Sequence, residues 1–270
     1  MQQRTEPGPE GSGEWCSPKD WQRFYMGYNE RFVDDCVLNL HGGEVVVRVA
    51  QAPSARQAAK AHGYKLDRES DPALTGTTVW DGAVVLSQYL TSTGALGGHS
   101  YPSGKARPIA LELGSGTGAV SLALLACGCV EHVTITDIPD VLPFIQLNAA
   151  RNADAVDARR MSVLPLRWGA AADIAALSRR PPFDLLVGSD LVYYTYSEAT
   201  PHSKVLLATL LQLAGKGTLV FLALSLHHNP AEVEHFLGLA SEHFAVTRLR
   251  AEVPDEWRVP DVIIVRMQLK

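Results

Sequence analysis

Long apolar runs are missing from this 270-residue chain; none approaches the roughly 20 residues needed to span a bilayer, so no membrane-spanning protein is expected. The first residues, Met1 to Glu14, are polar and rich in Gly, Pro and Glu, without the apolar centre of a secretory signal. On composition they read as a disordered leader. Positive charge is not in excess: 24 Lys and Arg stand against 29 Asp and Glu, a formal net charge of −5. That balance argues against a protein whose main work is gripping nucleic acid. Cysteine is scarce, with four residues. Cys127 and Cys129 lie close together, but no second pair completes a zinc site. All four, Cys16 and Cys36 included, read as reduced structural thiols of an intracellular protein. His202, His227 and His228 have no acid or cysteine partner at ligand spacing, and adjacent histidines on a strand point to opposite faces. No metal is expected. No internal repeat is visible either.

What remains is ordinary: 46% hydrophobic and 20% charged residues, the balance of a globular domain long enough to bury a sizeable core. The expectation is a monomer in the cytoplasm, with the nucleus as a second compartment.

The chain divides by pattern. Trp15 to Val33 carries aromatic residues at a spacing that suits a short amphipathic helix. Cys36–Leu40 and Glu44–Ala50 flank His41-Gly42-Gly43, a hairpin signal. An apparent insertion near 52–73 follows, with more of the character of a cover than of a substrate wall. From Thr77 a helical stripe runs through Val84, Val85, Leu86, Tyr89 and Leu90. Short apolar strands (109–113, 132–136, 161–164, 184–188, 218–224) then alternate with helices (120–126, 143–152, 202–213, 231–243). Such alternation indicates a parallel sheet wrapped on both faces. The last two strands, 244–249 and 262–269, suit an antiparallel pair. The expected organisation is a leader over 1–14, an N-terminal extension over 15–76 and a single α/β domain over 77–270.

The strand at 109–113 runs into Gly114-Ser115-Gly116-Thr117-Gly118 and then into a helix. Glycines let the backbone turn tightly and let a ligand approach with no Cβ in the way, and the helix N-terminus favours negative groups. The spacing Gly-x-Gly-x-Gly departs from the usual dinucleotide form, and Glu112 stands just before it. Asp137 closes the next strand, 19 residues past the last glycine, where an acid can accept both ribose hydroxyls of an adenosine. A nucleotide-dependent dehydrogenase uses the same adenosine grip. A strand-to-helix turn with no ligand is the blander alternative.

Four segments together narrow the choice: Val79-Trp80-Asp81-Gly82-Ala83-Val84-Val85-Leu86; the glycine loop with Leu111 to Leu113; Thr136-Asp137-Ile138-Pro139 followed by Leu147-Asn148-Ala149-Ala150-Arg151-Asn152; and Gly188-Ser189-Asp190-Leu191-Val192-Tyr193. In this combination the chain resembles the seven-β-strand S-adenosylmethionine-dependent methyltransferases, in the branch of the protein-lysine methyltransferases with an Asp-x-x-Tyr motif. The resemblance covers roughly Leu38 to Lys270. It implies a Rossmann-like, doubly wound, mostly parallel seven-stranded sheet with an N-terminal extension, and S-adenosylmethionine as cofactor. By that likeness Glu112, Gly114, Ser115, Gly116 and Gly118 line or frame the methionine part. Asp137 holds the ribose, Ile138 and Trp168 wall the adenine, and Trp80 and Ser189 stand near the cofactor. Asn148 and Asn152 read as helix-surface or capping groups.

Asp190 and Tyr193 are the catalytic candidates. A free lysine has a pKa of about 10.4, so the site must accept an ammonium, release its proton and hold the neutral amine dry and in line. A neighbouring carboxylate raises a lysine pKa, whereas desolvation lowers it. Asp190 is therefore assigned to anchoring the ammonium or the cofactor's amino group, with the proton leaving through water. Tyr193 offers a ring face to the cation and a hydroxyl to the amine. The expected partner is a cytosolic protein carrying the target lysine. An arginine or histidine side chain, or a small molecule, is the alternative acceptor. A non-catalytic cofactor-binding partner protein is the alternative from another class. Asn-Pro-Pro-Tyr, which serves planar nitrogens, is absent. The chain departs from the family at Ser225-Leu226-His227-His228-Asn229, in the 52–73 insertion and in the aromatic stretch 15–33.

Overall fold

In a computed structural model of the chain, residues 35–52, 55–63, 65, 76–178, 182–193, 202–226, 229–249, 259 and 261–270 are described. The leader, the expected helix within 15–33, half of the insertion, Tyr194, Tyr196, His227 and His228 lie outside them.

Strands β1 (Cys36–Leu40) and β2 (Val45–Val49) pair antiparallel as the expected hairpin. The turn has His41, Gly42 and Gly43 at positive φ, a conformation that glycine adopts at little cost. Helix α1 (Ala55–His62) follows, then α2 (Asp81–Ser92). The α/β units are β3 (Ile109–Glu112), α3 (Ala119–Ala126), β4 (His132–Asp137), α4 (Leu142–Arg151), β5 (Met161–Pro165) and α5 (Ala171–Ser178). β6 (Leu185–Ser189), α6 (His202–Leu213), β7 (Leu219–Ser225), α7 (Pro230–His243), β8 (Phe244–Arg248) and β9 (Val262–Leu269) complete the chain.

The large sheet has seven strands in the order β5-β4-β3-β6-β7-β9-β8. β3 pairs parallel with β4 and β6, and so do β4 with β5 and β6 with β7, whereas β9 runs antiparallel between β7 and β8. The expected doubly wound, mostly parallel seven-stranded sheet is therefore present. Alternation puts successive residues of one strand into two separate cores. Leu219, Phe221 and Ala223 of β7 join Val84, Leu86 and Tyr89 of α2 on one face. Val220, Leu222 and Leu224 join Leu206, Leu210, Val233 and Phe236 of α6 and α7 on the other. Strands buried on both faces explain the continuous apolar runs in the sequence.

Two expectations are corrected. Thr77 and Thr78 do not open a helix: α2 begins at Asp81, and the extended segment before it pairs with the chain leaving the hairpin. Ala52 donates its N–H to the Thr77 carbonyl at 2.8 Å, and Gln51 Oε1 accepts the Val79 N–H at 2.8 Å. Asn148 and Asn152 are not surface groups, being 0% and 6% exposed, although Asn152 does stand at the C-cap of α4, as a capping group would. Asn152 Oδ1 accepts from Arg48 N at 2.9 Å, and its Nδ2 donates to Arg48 O at 2.8 Å. Asn148 Oδ1 accepts from Ala50 N at 2.8 Å, while its Nδ2 donates to Ala50 O and to Thr117 O. A side-chain amide has the donor and acceptor set of a peptide group. The two asparagines therefore act as a substitute strand along the open edge of β2.

Candidate active site

From β3 the chain winds outward through β4 to β5, then returns to β6 on the opposite side of β3. In open α/β sheets ligands bind in the crevice outside the carboxyl ends of the strands at such a reversal. A cavity of about 630 Å³ lies there, lined among others by Gly114, Ser115, Gly116, Asp137, Trp168 and Asp190. Its size falls within the range of about 300–1,000 Å³ usual for small-molecule sites.

The glycine loop forms one side. Gly114, Gly116 and Gly118 all have positive φ, and Gly116 shows why glycine is needed: a Cβ there would stand 2.7 Å from the Gly76 carbonyl oxygen. The segment before α2 thus crosses close over the loop, bringing Gly76, Thr78 and Trp80 to the cavity. Ser115 is 8% exposed, lines the cavity, and has an Oγ with no hydrogen-bond partner. A buried hydroxyl without a partner is costly, and a ligand group would satisfy it.

Each of three strand-end acids turns its carboxylate to a backbone N–H. Glu112 is 1% exposed and accepts from both the N–H and the hydroxyl of Ser121, in the first turn of α3. Gly118, the N-cap of α3, has no side chain to do this; Glu112 caps the helix from the sheet. Burial pushes its pKa up to about 8, against the pull of the Ser121 bonds. Asp137 accepts from Gly116 N at 2.8 Å and Ile138 N at 2.7 Å, and burial raises its pKa to about 6. Asp190 has φ +54°, in the left-handed region. Its Oδ2 accepts from Gly82 N, in the first turn of α2, at 2.9 Å, and its Oδ1 accepts from Ser225 Oγ at 2.5 Å. Burial raises its pKa to about 6, with Asp81 adding to the rise and the bonds from Ser225 and Gly82 opposing it.

Of the twelve residues singled out from sequence, Trp80, Gly114, Ser115, Gly116, Asp137, Ile138, Trp168, Ser189, Asp190 and Tyr193 line this one cavity. Glu112 and Gly118 stand behind the loop and shape it. Tyr193 is 38% exposed at the rim. Among the lining residues not proposed for this site are Gly76, Thr78, Val141, Arg167, Val205 and His202, the last weighed only as a metal ligand. Gly76 and Thr78 stand near Trp80 in the sequence and Arg167 directly precedes Trp168; no local signal pointed to Val141 or Val205.

A sequence profile of a family described as lysine methyltransferase matches residues 64–243, two thirds of the chain. The chain belongs to that family. As a member it is an S-adenosylmethionine-dependent methyltransferase acting on lysine. Protein N-lysine methyltransferase METTL21A of Xenopus tropicalis is 29% identical over 210 residues, covering 77% of this chain and 85% of the relative. EEF1A lysine methyltransferase 3 of the same species is 27% identical over 66% of this chain and 70% of its own length. The bovine protein-lysine methyltransferase METTL21E is 30% identical over 59% of this chain, which spans only half of that relative. Among solved structures, a Streptococcus mutans protein described as a SAM-dependent methyltransferase matches with TM-score 0.52 at 13% identity. That match covers 87% of this chain and 56% of the other, and it speaks for the fold alone. The site suits the family's cofactor: an orphaned buried hydroxyl, a Cβ-free cradle and an acid short of donors are its counterparts.

Proposed function

We propose that the chain methylates the Nζ of a lysine on a cytosolic protein, with Asp190 and Tyr193 receiving the lysine. The observation that carries this reading is the meeting of the glycine loop, Asp137, Asp190 and Tyr193 on one cavity. Gly114, Ser115 and Gly116 would hold the methionine part of S-adenosylmethionine, Asp137 its ribose, and Ile138 and Trp168 its adenine. When bound, that cofactor supplies an electrophilic methyl group, which a neutral amine takes by direct displacement.

The chain's own task is then positioning. Both Asp190 oxygens already accept one hydrogen bond, yet a carboxylate has about four lone-pair sites. The remaining ones draw an ammonium in. Because a carboxylate opposes loss of the ammonium proton, that proton passes to water at the rim. Tyr193, half exposed there, lays its ring beside the cation and aligns the amine. The apolar lining by Leu166, Leu191 and Val205 favours the neutral amine by excluding water.

The test is calorimetric titration with S-adenosylmethionine and S-adenosylhomocysteine, followed by transfer of tritiated methyl to lysate proteins and acid hydrolysis. Label recovered as methyl-lysine, lost in Asp190→Ala, is expected. Label recovered as methyl-arginine or methyl-histidine would replace the acceptor assigned here.

A further inference from the structure

Ser225 ends β7 and is 3% exposed. Its backbone is fixed against the chain at β9. It pairs with Val262 of β9, and the next N–H, of Leu226, donates to the Asp261 carbonyl at 2.6 Å. Leu219, Phe221 and Ala223 put apolar side chains on the α2 face of β7. Ser225 continues that alternation with a hydroxyl where the series would place another apolar group, beneath the N-terminus of α2. The hydroxyl donates to Asp190 Oδ1 at 2.5 Å, while Gly82 N–H holds Oδ2. Asp190 N–H is tied to the Ala223 carbonyl at 2.9 Å. The carboxylate is thus located from β7, from α2 and through its own backbone. Its left-handed φ is a strained state that persists only where the surroundings over-determine it.

We propose that Ser225 is a positioning residue for methyl transfer, fixing the Asp190 carboxylate so that its remaining lone pairs face the incoming lysine. This rests on the reading of Asp190 as the lysine-facing acid. Ser225 is also the donor that favours the ionised carboxylate most, ahead of Gly82. The other charged or titratable groups around Asp190 are Asp81 on α2, Asp137 across the cavity, Arg167 after β5, His202 on α6 and Tyr193 on its own loop. Ser225 adds no charge, so it biases the acid without competing for the ammonium.

The experiment uses the full chain as wild type, Ser225→Ala and Ser225→Thr. The Asp190 carboxyl is followed by carbon NMR across pH 4–9, its resonance assigned by its loss in Asp190→Asn. Tritiated methyl transfer to lysate from cells lacking the protein gives the rate against pH, and titration gives the S-adenosylhomocysteine affinity. For Ser225→Ala the carboxyl midpoint is expected to rise by about one pH unit. The acid limb of the rate profile should follow it, so that lost ionisation alone lowers the rate at pH 7 about twofold and lost alignment of the carboxylate lowers it further, while S-adenosylhomocysteine affinity should stay within about twofold. Ser225→Thr, which keeps the hydroxyl, should restore the midpoint. An unmoved midpoint in an active enzyme overturns the proposal alone. So does a parallel loss of affinity, rate and melting temperature that threonine does not rescue. A wild type that binds the cofactor yet labels no lysine overturns the lysine reading, and the proposal with it.

Discussion

Gly82→Ala separates two lines of reasoning that give opposite signs. Gly82 lies in the first turn of α2, and in an unconstrained helix interior alanine is favoured over glycine by about 0.8–1 kcal/mol. Here a Cβ would stand 2.5 and 2.7 Å from the Asp190 carboxylate oxygens and 2.8 Å from its Cγ. Ordinary contacts between heavy atoms lie near 3.5–4.0 Å, so three atoms overlap by roughly 1 Å. Asp190 cannot simply rotate, because Ser225 and the Ala223 carbonyl hold it. Either the acid leaves or the helix end lifts. Both outcomes break the Gly82–Asp190 bond and strain the Ser225 one. Hydrogen bonds to a charged group are worth about 1.5–3 kcal/mol each. Set against the propensity gain, a net loss of about 2–3 kcal/mol is expected, or roughly 5–10 °C in melting temperature. Gly238→Ala in the middle of α7 is the control. Nothing lies within 4 Å of its Cβ, so it should stabilise by up to about 1 kcal/mol. Urea unfolding of both variants, with methyl transfer alongside, decides the matter. A Gly82→Ala protein as stable as Gly238→Ala and still active would refute the close packing of α2 on Asp190.

Other outcomes follow from the same groups. The Asp137 carboxyl is raised to about 6 in the ligand-free protein, so its stabilising contribution is fullest below about pH 4 and is lost as pH rises through 6. Ribose hydroxyls donating to it favour the ionised form. S-adenosylhomocysteine should therefore bind more weakly as pH falls through 6 and release a proton there, which calorimetry in buffers of different ionisation enthalpy measures. Glu112, raised to about 8, loses its contribution as pH climbs from about 4.5 to 8. Glu112→Gln keeps the acceptor for Ser121 and should be more stable than wild type at pH 8, with a flatter stability profile in urea titrations from pH 5 to 8. Asn148→Ala removes three hydrogen bonds, one of them to Thr117 O beside the cavity. It should cost about 2–3 kcal/mol and weaken cofactor binding, while Asn152→Ala, which does not touch the loop, should lower stability with little change in affinity.

Much of this was legible in the chain because strands buried on both faces write themselves as apolar runs, and because glycine loops and strand-end acids sit at fixed distances along the sequence. The helix Ala171–Ser178 was not anticipated. Only Ile174 and Leu177 are buried in it, and the alanines between them leave no apolar stripe to read. Asn148 and Asn152 misled for a different reason. Their partners, Ala50 and Arg48, lie 98 and 104 residues away, and no local spacing reports an amide that mimics a strand. The importance of Asp190 could be read from its motif. What could not be read was that a glycine 108 residues earlier and a serine 35 residues later hold its two oxygens.

The hairpin and the segment over the glycine loop are joined by Gln51, Ala52 and Thr77, and their hold on the rest of the domain runs partly through the two asparagines. Such a piece can open as a unit, at a free energy below that of global unfolding. A molecule seated in the cavity that the glycine loop and the Gly76–Trp80 segment both line bridges that unit to the sheet and takes hold only while it is closed. Amide exchange in β1 and β2, which do not line the cavity, thereby becomes a gauge of occupancy. In that case the hairpin is the latch of the site's front wall, and slower exchange of its amides with ligand bound would time how long the wall stays shut.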